Sequence, residues 1–189
     1  MSQPGEKLTY TFAEYIVLEE QSSGKHGLIN GRICPVPQRT PEHGRLTMRM
    51  ASALGSSLAR HPCEVFSSDV RLRVPATGLA AYPDLSVVCG KLEIDPENRN
   101  TITNPIVIVE VLSNSTEDYD RKDKFMHYRR LPSLKDYLLV DQREPRIEHY
   151  QRNDDGSWTL REVMPPGVVR LSLGIEFAVA DVYENALSP

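Results

Sequence analysis

Cysteine is scarce and scattered here: Cys34, Cys63 and Cys89 make three in 189 residues, and no two form a Cys-x-x-Cys pair. That odd, dispersed count argues against a zinc ribbon or a disulfide framework and fits a reducing compartment. Long apolar runs are also missing. The longest, Pro105 to Leu112, falls far short of the ~20 residues that span a bilayer, and it contains Glu110. Glu6, Lys7, Glu14, Glu19 and Glu20 break up the apolar core that a secretory leader would need. A basic excess is lacking too: 22 Lys+Arg against 26 Asp+Glu leave a net charge of −4. An all-basic surface is thereby excluded, whereas a local basic cleft is not, because net charge averages over faces. Repeats and low-complexity segments do not occur. What is present is ordinary globular material, 40% hydrophobic and 25% charged, which argues against disorder. The expectation is a cytoplasmic protein with no membrane partner. One domain over residues 1–189 is large enough to bury a core without a structural metal.

The spacing of apolar residues predicts the elements. Thr11 to Glu20 reads as a first helix, with Thr11 and Glu14 spaced as a capping box. Leu28 to Cys34 reads as a strand, ended by the proline-rich stretch Pro35 to Pro41. Leu46, Met50, Ala53, Leu54 and Leu58 recur at helical spacing, predicting a helix over Gly44 to Arg60. The period then becomes two. Val70, Leu72 and Val74 alternate with Asp69, Arg71 and Arg73, a half-buried strand with the arginines on a solvated face. Asp84 to Cys89 is a short strand entered through Pro83, and Ile106 to Leu112 has the β-branched composition of a central strand covered on both faces. A helix from Ser115, its N-cap, to Leu131 leads to a strand over Tyr137 to Asp141, a strand–helix–strand crossover. Ile147 to Arg152 and Trp158 to Val163 make a hairpin, with Trp158 as packing. Val168 to Leu171 adds a strand, and Ala180 to Asn185 a helical turn. The order predicts an α/β (α+β) fold, a mixed β-sheet flanked by helices with an additional antiparallel hairpin.

Glu110 is the anomaly, a carboxylate inside the most apolar strand. An unpaired buried carboxylate costs several kcal/mol, so it needs a cation, a metal or a raised pKa. If the strands of Asp84 and Glu110 are neighbours, the two acids converge and make half a site for Mg²⁺ or Mn²⁺, which water and substrate phosphate complete. The helix after the Glu110 strand carries Asp120 and Lys124 four apart on one face, acid before base. Phe125 and Tyr128 mark its buried side, so Lys124 is placed to reach over the sheet toward Glu110. His26, His43, His61, His127 and His149 show no metal spacing and read as surface or loop residues.

These segments carry a resemblance. Tyr82-Pro83-Asp84-Leu85-Ser86-Val87-Val88, Pro105 to Thr116, Asp120-Arg121-Lys122-Asp123-Lys124 and Tyr137 to Asp141 resemble the Uma-two family of restriction-endonuclease-like proteins. That family belongs to the PD-(D/E)xK nuclease superfamily, and the similarity runs over nearly the whole chain. It implies a restriction-endonuclease-like fold and hydrolysis of DNA phosphodiester bonds with Mg²⁺ or Mn²⁺. Asp84 and Glu110 would be the metal ligands, with the Val111 backbone carbonyl as a third oxygen. Leu112 stands where the superfamily's strand lysine is expected. In this family the lysine sits on the following helix, and Lys124 matches that place. Pro41-Glu42-His43 resembles a Pro-x-His segment of the family. One departure stands out: His26-Gly27-Leu28-Ile29-Asn30-Gly31 replaces the family's Tyr-Glu-Leu-Ile-Asp-Gly, so Gly27 takes the place of an acid. Asp84, Glu110 and Lys124 are thus the expected catalytic residues of an endonuclease acting on DNA, and a homodimer suits an enzyme that cuts two strands. The alternative is a catalytically impaired nuclease fold that binds DNA or protein, a reading motivated by Gly27 and the net charge.

Overall fold

A computed structural model describes residues 9–113 and 117–184; Ser115, the expected N-cap, and Asn185 lie outside them. The chain opens with helix α1 (Phe12–Gln21), capped by Thr11 and Glu14 in the reciprocal pattern that their spacing predicts. The single strand expected over Leu28 to Cys34 is instead a hairpin, β1 (His26–Ile29) and β2 (Arg32–Pro35). Its turn is Asn30-Gly31, with φ of 50° and 77°, the left-handed pair that a tight two-residue hairpin requires. Helix α2 (Pro41–Leu58) starts earlier than the apolar spacing suggests, because Thr40 caps it and Pro41 suits its first turn. There follow β3 (Cys63–Ser67), β4 (Arg71–Val74), β5 (Leu79–Ala81), β6 (Leu85–Cys89), β7 (Ile94–Asp95), β8 (Asn98–Ile102) and β9 (Val107–Val111). Helix α3 spans 117–128, and its middle turn, Asp120–Lys124, is π-helical. The remainder is β10 (Asp136–Val140), β11 (Ile147–Arg152), β12 (Trp158–Val163), β13 (Val168–Arg170), β14 (Glu176–Ala178) and α4 (Val179–Tyr183).

Among the described residues the strands form two six-stranded sheets and a two-stranded one, where the sequence pattern predicts a single mixed sheet with a hairpin. The first large sheet runs β2-β1-β5-β4-β8-β7 and the second β12-β11-β10-β9-β6-β3, the expected hairpin β11–β12 forming the edge of the second. Strands β9 and β10 pair in parallel across α3, as the crossover reading requires, whereas β6 and β9 pair antiparallel. The second sheet is covered on both faces. Val107, Val109 and Val111 face Leu46, Met50 and Leu54 of α2. Ile108 and Leu112 face Tyr128 of α3 with Tyr137 and Leu139 of β10. Leu46, Met50 and Leu54 are fully buried, each contributing about 1.5–3 kcal/mol. Trp158 packs on Phe125, ring centroids 5.1 Å apart, so it serves the hairpin as expected.

Two expectations fail in instructive ways. Arg71 is buried, not solvated: its guanidinium donates to the hydroxyls of Tyr15 (3.1 Å) and Tyr82 (2.8 Å) and to Thr101 (3.2 Å). Helix α1 supplies Tyr15 and closes over the strand face that alternation alone would leave to water. Arg73 is half-buried and holds Asp95 at 3.0 Å. Cys63 and Cys89 are joined by a disulfide, because β3 and β6 set them directly opposite each other; their sequence separation of 26 hides that register. Among the described residues no helix is long and apolar enough to cross a membrane.

Candidate active site

The antiparallel register of β6 on β9 pairs Leu85 with Val109 and Ser86 with Ile108. Carried one residue past the end of β6, it brings Asp84 to the level of Glu110, and opposed residues share a face of the sheet. The Asp84 side chain turns back on the strand end, where Oδ2 accepts the Val111 N–H at 2.8 Å. Two side chains hold it: Arg39 Nη2 lies 2.9 Å from Oδ1, and His43 Nε2 lies 3.0 Å from Oδ2. Burial pushes the Asp84 carboxyl up, but His43, Arg39 and the Val111 amide outweigh it and hold the group below its ordinary value. His43, expected at the surface, is thus buried in the first turn of α2. His149 is buried as well, bonded to Asp136 at 2.8 Å.

Glu110 has a different set of partners. Its Oε1 takes the Lys124 ammonium at 2.9 Å and the Tyr128 hydroxyl at 3.0 Å. Its Oε2 is buried and has no hydrogen-bond partner among the described residues. Burial pushes the Glu110 carboxyl up to about 7, Asp120 and Asp84 pushing the same way and Lys124 opposing them. Lys124 also meets Asp120 at 2.7 Å. Burial lowers the Lys124 pKa, but Glu110 and Asp120 together overcome it and keep the amine protonated well past its ordinary range. One ammonium therefore faces two carboxylates, and protonating Glu110 relieves the excess negative charge.

The middle of helix α3, where Asp120 and Lys124 lie, is a π turn. A widened turn re-aims side chains, and such turns recur at functional sites. Asp120 and Lys124, four apart, pair over the sheet, while the Asp120 carbonyl accepts the Tyr137 hydroxyl at 2.9 Å. Behind Asp84, the Tyr82 hydroxyl donates to Glu19 at 2.9 Å and takes the Arg71 guanidinium, fixing the segment that leads through Pro83 into the site. The three expected residues therefore lie at one end of the second sheet, Lys124 on Glu110 and Asp84 beside them on Val111. Sequence reasoning missed Arg39, Asp120 as a site residue, and Tyr128. His43 was flagged by the Pro-x-His segment without a role.

The chemistry of the donors decides which ion they suit. Two carboxylates offer hard oxygens, and Oε2 of Glu110 is an uncommitted buried acceptor. Among the described residues no group of three or more His, Cys, Asp or Glu gathers into a cage. Mg²⁺ does not need one, since it is held through one or two carboxylates plus water and substrate phosphate. The Val111 carbonyl adds to the set: on a strand, N–H and C=O of one residue point to the same side, and its N–H points to Asp84. The residues fit a divalent ion on those terms.

The chain is similar to known proteins over most of its length. Residues 12–181 match the model of the Uma2 family, described as "Putative restriction endonuclease". An uncharacterized protein of Synechocystis, sll1609, is 38% identical over 154 residues, covering 82% of this chain and 87% of its own. A second, slr1290, is 36% identical over 176 residues, covering 91% and 90%. The crystal structure of a "putative nuclease belonging to DUF820" from Anabaena variabilis superposes with a TM-score of 0.75 at 16% identity, covering 92% of this chain and 97% of that one. The chain shares that protein's restriction-endonuclease-like fold.

Proposed function

The chain belongs to the Uma2 family of restriction-endonuclease-like proteins, and on that premise we propose that it is a Mg²⁺- or Mn²⁺-dependent endonuclease hydrolysing DNA phosphodiester bonds. The observation that carries the reading is Oε2 of Glu110, a buried carboxylate oxygen without a hydrogen-bond partner among the described residues, on a side chain whose other oxygen meets Lys124. Asp84, Glu110 and the Val111 carbonyl would hold the ion. When bound, the ion lowers the pKa of its water and polarises the phosphoryl group. Lys124 orients the attacking water and offsets negative charge in the transition state, the two contributions that dominate phosphoryl chemistry. Asp120 keeps the Lys124 ammonium protonated and aimed. Arg39 and His43 balance Asp84 and set its carboxylate orientation. We place this activity in a single cytoplasmic domain, with a homodimer as the form that cuts both strands.

The test is DNA cleavage with Mg²⁺ or Mn²⁺ by the wild type and by Asp84→Ala, Glu110→Ala and Lys124→Ala. Each variant is expected to lose cleavage; retention of full activity by all three sinks the assignment. A second reading, a catalytically impaired module that binds DNA or protein, draws on two observations. Both oxygens of Asp84 are already engaged, by Arg39 and His43, and Gly27 stands in place of an acid. Salt-dependent DNA binding with no Mn²⁺ uptake and no turnover would favour it.

A further inference from the structure

A cleft of about 460 Å³ opens beside the acids, lined by Arg39 and Lys124 at the site and by Ile29, Val36, Tyr82 and Tyr119 along its walls. Its size falls in the range of about 300–1,000 Å³ that encloses small organic ligands. Its walls are mostly apolar, and the two cations that line it, Arg39 and Lys124, lie at the end nearest the acids, each already paired with a carboxylate. Arg39 Nη2 is 2.9 Å from Asp84 and Lys124 Nζ is 2.9 Å from Glu110, so the cleft begins one side chain away from both carboxylates. The Tyr119 hydroxyl, on the first turn of α3, is buried and has no hydrogen-bond partner among the described residues. A buried polar atom left open in this way is exceptional in a folded protein.

A nucleotide has the complementary pattern, an anion joined through a sugar to a flat, largely apolar ring with polar edges. We propose that this cleft receives the nucleobase adjoining the scissile phosphate, with the phosphate at Arg39 and Lys124, the ring between Tyr82, Tyr119 and the aliphatic wall, and the Tyr119 hydroxyl on the base edge. The proposal rests on the nuclease reading and narrows it. A base in an intact duplex is stacked and paired and cannot enter a cleft, whereas an unpaired or flipped base can. The substrate class is therefore single-stranded or locally unpaired DNA.

Cys34 also lines this cleft and is a free thiol, which provides a readout separate from cleavage. The full-length chain, in EDTA, is alkylated with N-ethylmaleimide alone and with a short oligothymidylate, an abasic strand of the same length, or a duplex. At ten times its Kd, oligothymidylate is expected to slow Cys34 alkylation about tenfold, while the abasic strand, weaker by the roughly tenfold that one base–aromatic contact supplies, slows it about twofold and the duplex leaves it unchanged. Tyr119→Ala is expected to bind oligothymidylate and the abasic strand equally. Equal protection by oligothymidylate and the abasic strand, or no protection by either in a protein that cuts DNA with Mn²⁺, overturns the base cleft and leaves the nuclease reading standing. A chain that neither binds nor cuts any of these nucleic acids with Mg²⁺ or Mn²⁺ overturns both.

Discussion

Replacing Glu110 by Gln should make the metal-free protein more stable, though it removes the group on which the proposed chemistry depends. The carboxyl titrates at about 7 in the fold, against an ordinary 4.5, chiefly because it is buried, with Asp120 and Asp84 adding to the effect. Between those two pH values the folded chain keeps a proton that the unfolded chain has released, so raising the pH favours unfolding. From 4.5 to about 7, at about 1.4 kcal/mol per pH unit, the penalty comes to about 3 kcal/mol. It is fully developed above pH 7 and absent below 4.5. Glutamine retains an acceptor for the Tyr128 hydroxyl and leaves Lys124 paired with Asp120 at 2.7 Å, one charge against one. In EDTA at pH 8, Glu110→Gln should therefore melt about 6–12 °C above the wild type, using about 2–4 °C per kcal/mol for a chain of this size. The difference should close at pH 4.5. Calorimetry on both proteins at the two pH values checks this. A variant no more stable at pH 8, or an advantage of equal size at both values, would refute the charge-excess argument.

Lys124→Met should cost about 3–5 kcal/mol at pH 8, since it strands two buried carboxylates; urea titration should show a smaller loss at pH 5, where Glu110 is protonated. Mn²⁺ at a hundred times its Kd should raise wild-type stability by about 2.7 kcal/mol and leave Asp84→Asn and Glu110→Gln unmoved, as read by thermal shift. Arg71→Met should cost about 3 kcal/mol by leaving the Tyr15 and Tyr82 hydroxyls without their cation. It should also weaken Mn²⁺ uptake in calorimetric titration, because Tyr82 leads into Asp84. Burial raises the Asp141 carboxyl, but hydrogen bonds from Arg143 and Arg146 outweigh it and bring it down to about 2. Its contribution, present above pH 3.8, is lost as pH falls toward 2, and Asp141→Asn should flatten that part of the acid-unfolding curve.

Legibility followed locality. Glu110 could be found because an acid in an apolar strand contradicts its neighbours along the chain. Lys124 followed from helical spacing on the next element, and the α1 capping box lies within four residues. Arg71 could not be found in the same way. Alternation separates a strand's two faces without saying which will be covered, and the cover, Tyr15, comes 56 residues earlier. His43 and Arg39 lie more than forty residues before the aspartate they hold, and only tertiary folding brings them to it. The division into two sheets depends on pairings such as β4 with β8 and β1 with β5, and no local pattern encodes these. The Asn30-Gly31 turn was legible, since Asn-Gly between apolar runs is a strong hairpin signal; reading one long strand through it ignored that dipeptide.

The π turn of α3 makes the amine's aim a matter of counting. A π turn holds one residue more than an α turn, and each residue advances an α-helix by about 100°, so a length change that the turn does not absorb would swing the lysine away from Glu110 with every side chain of the site still present. A shortened chain of that kind would keep the whole motif when written out as letters and lose the pocket. A single-residue insertion or deletion in this helix is thus expected to break up the cluster of Glu110, Asp120 and Lys124 as surely as replacing one of them.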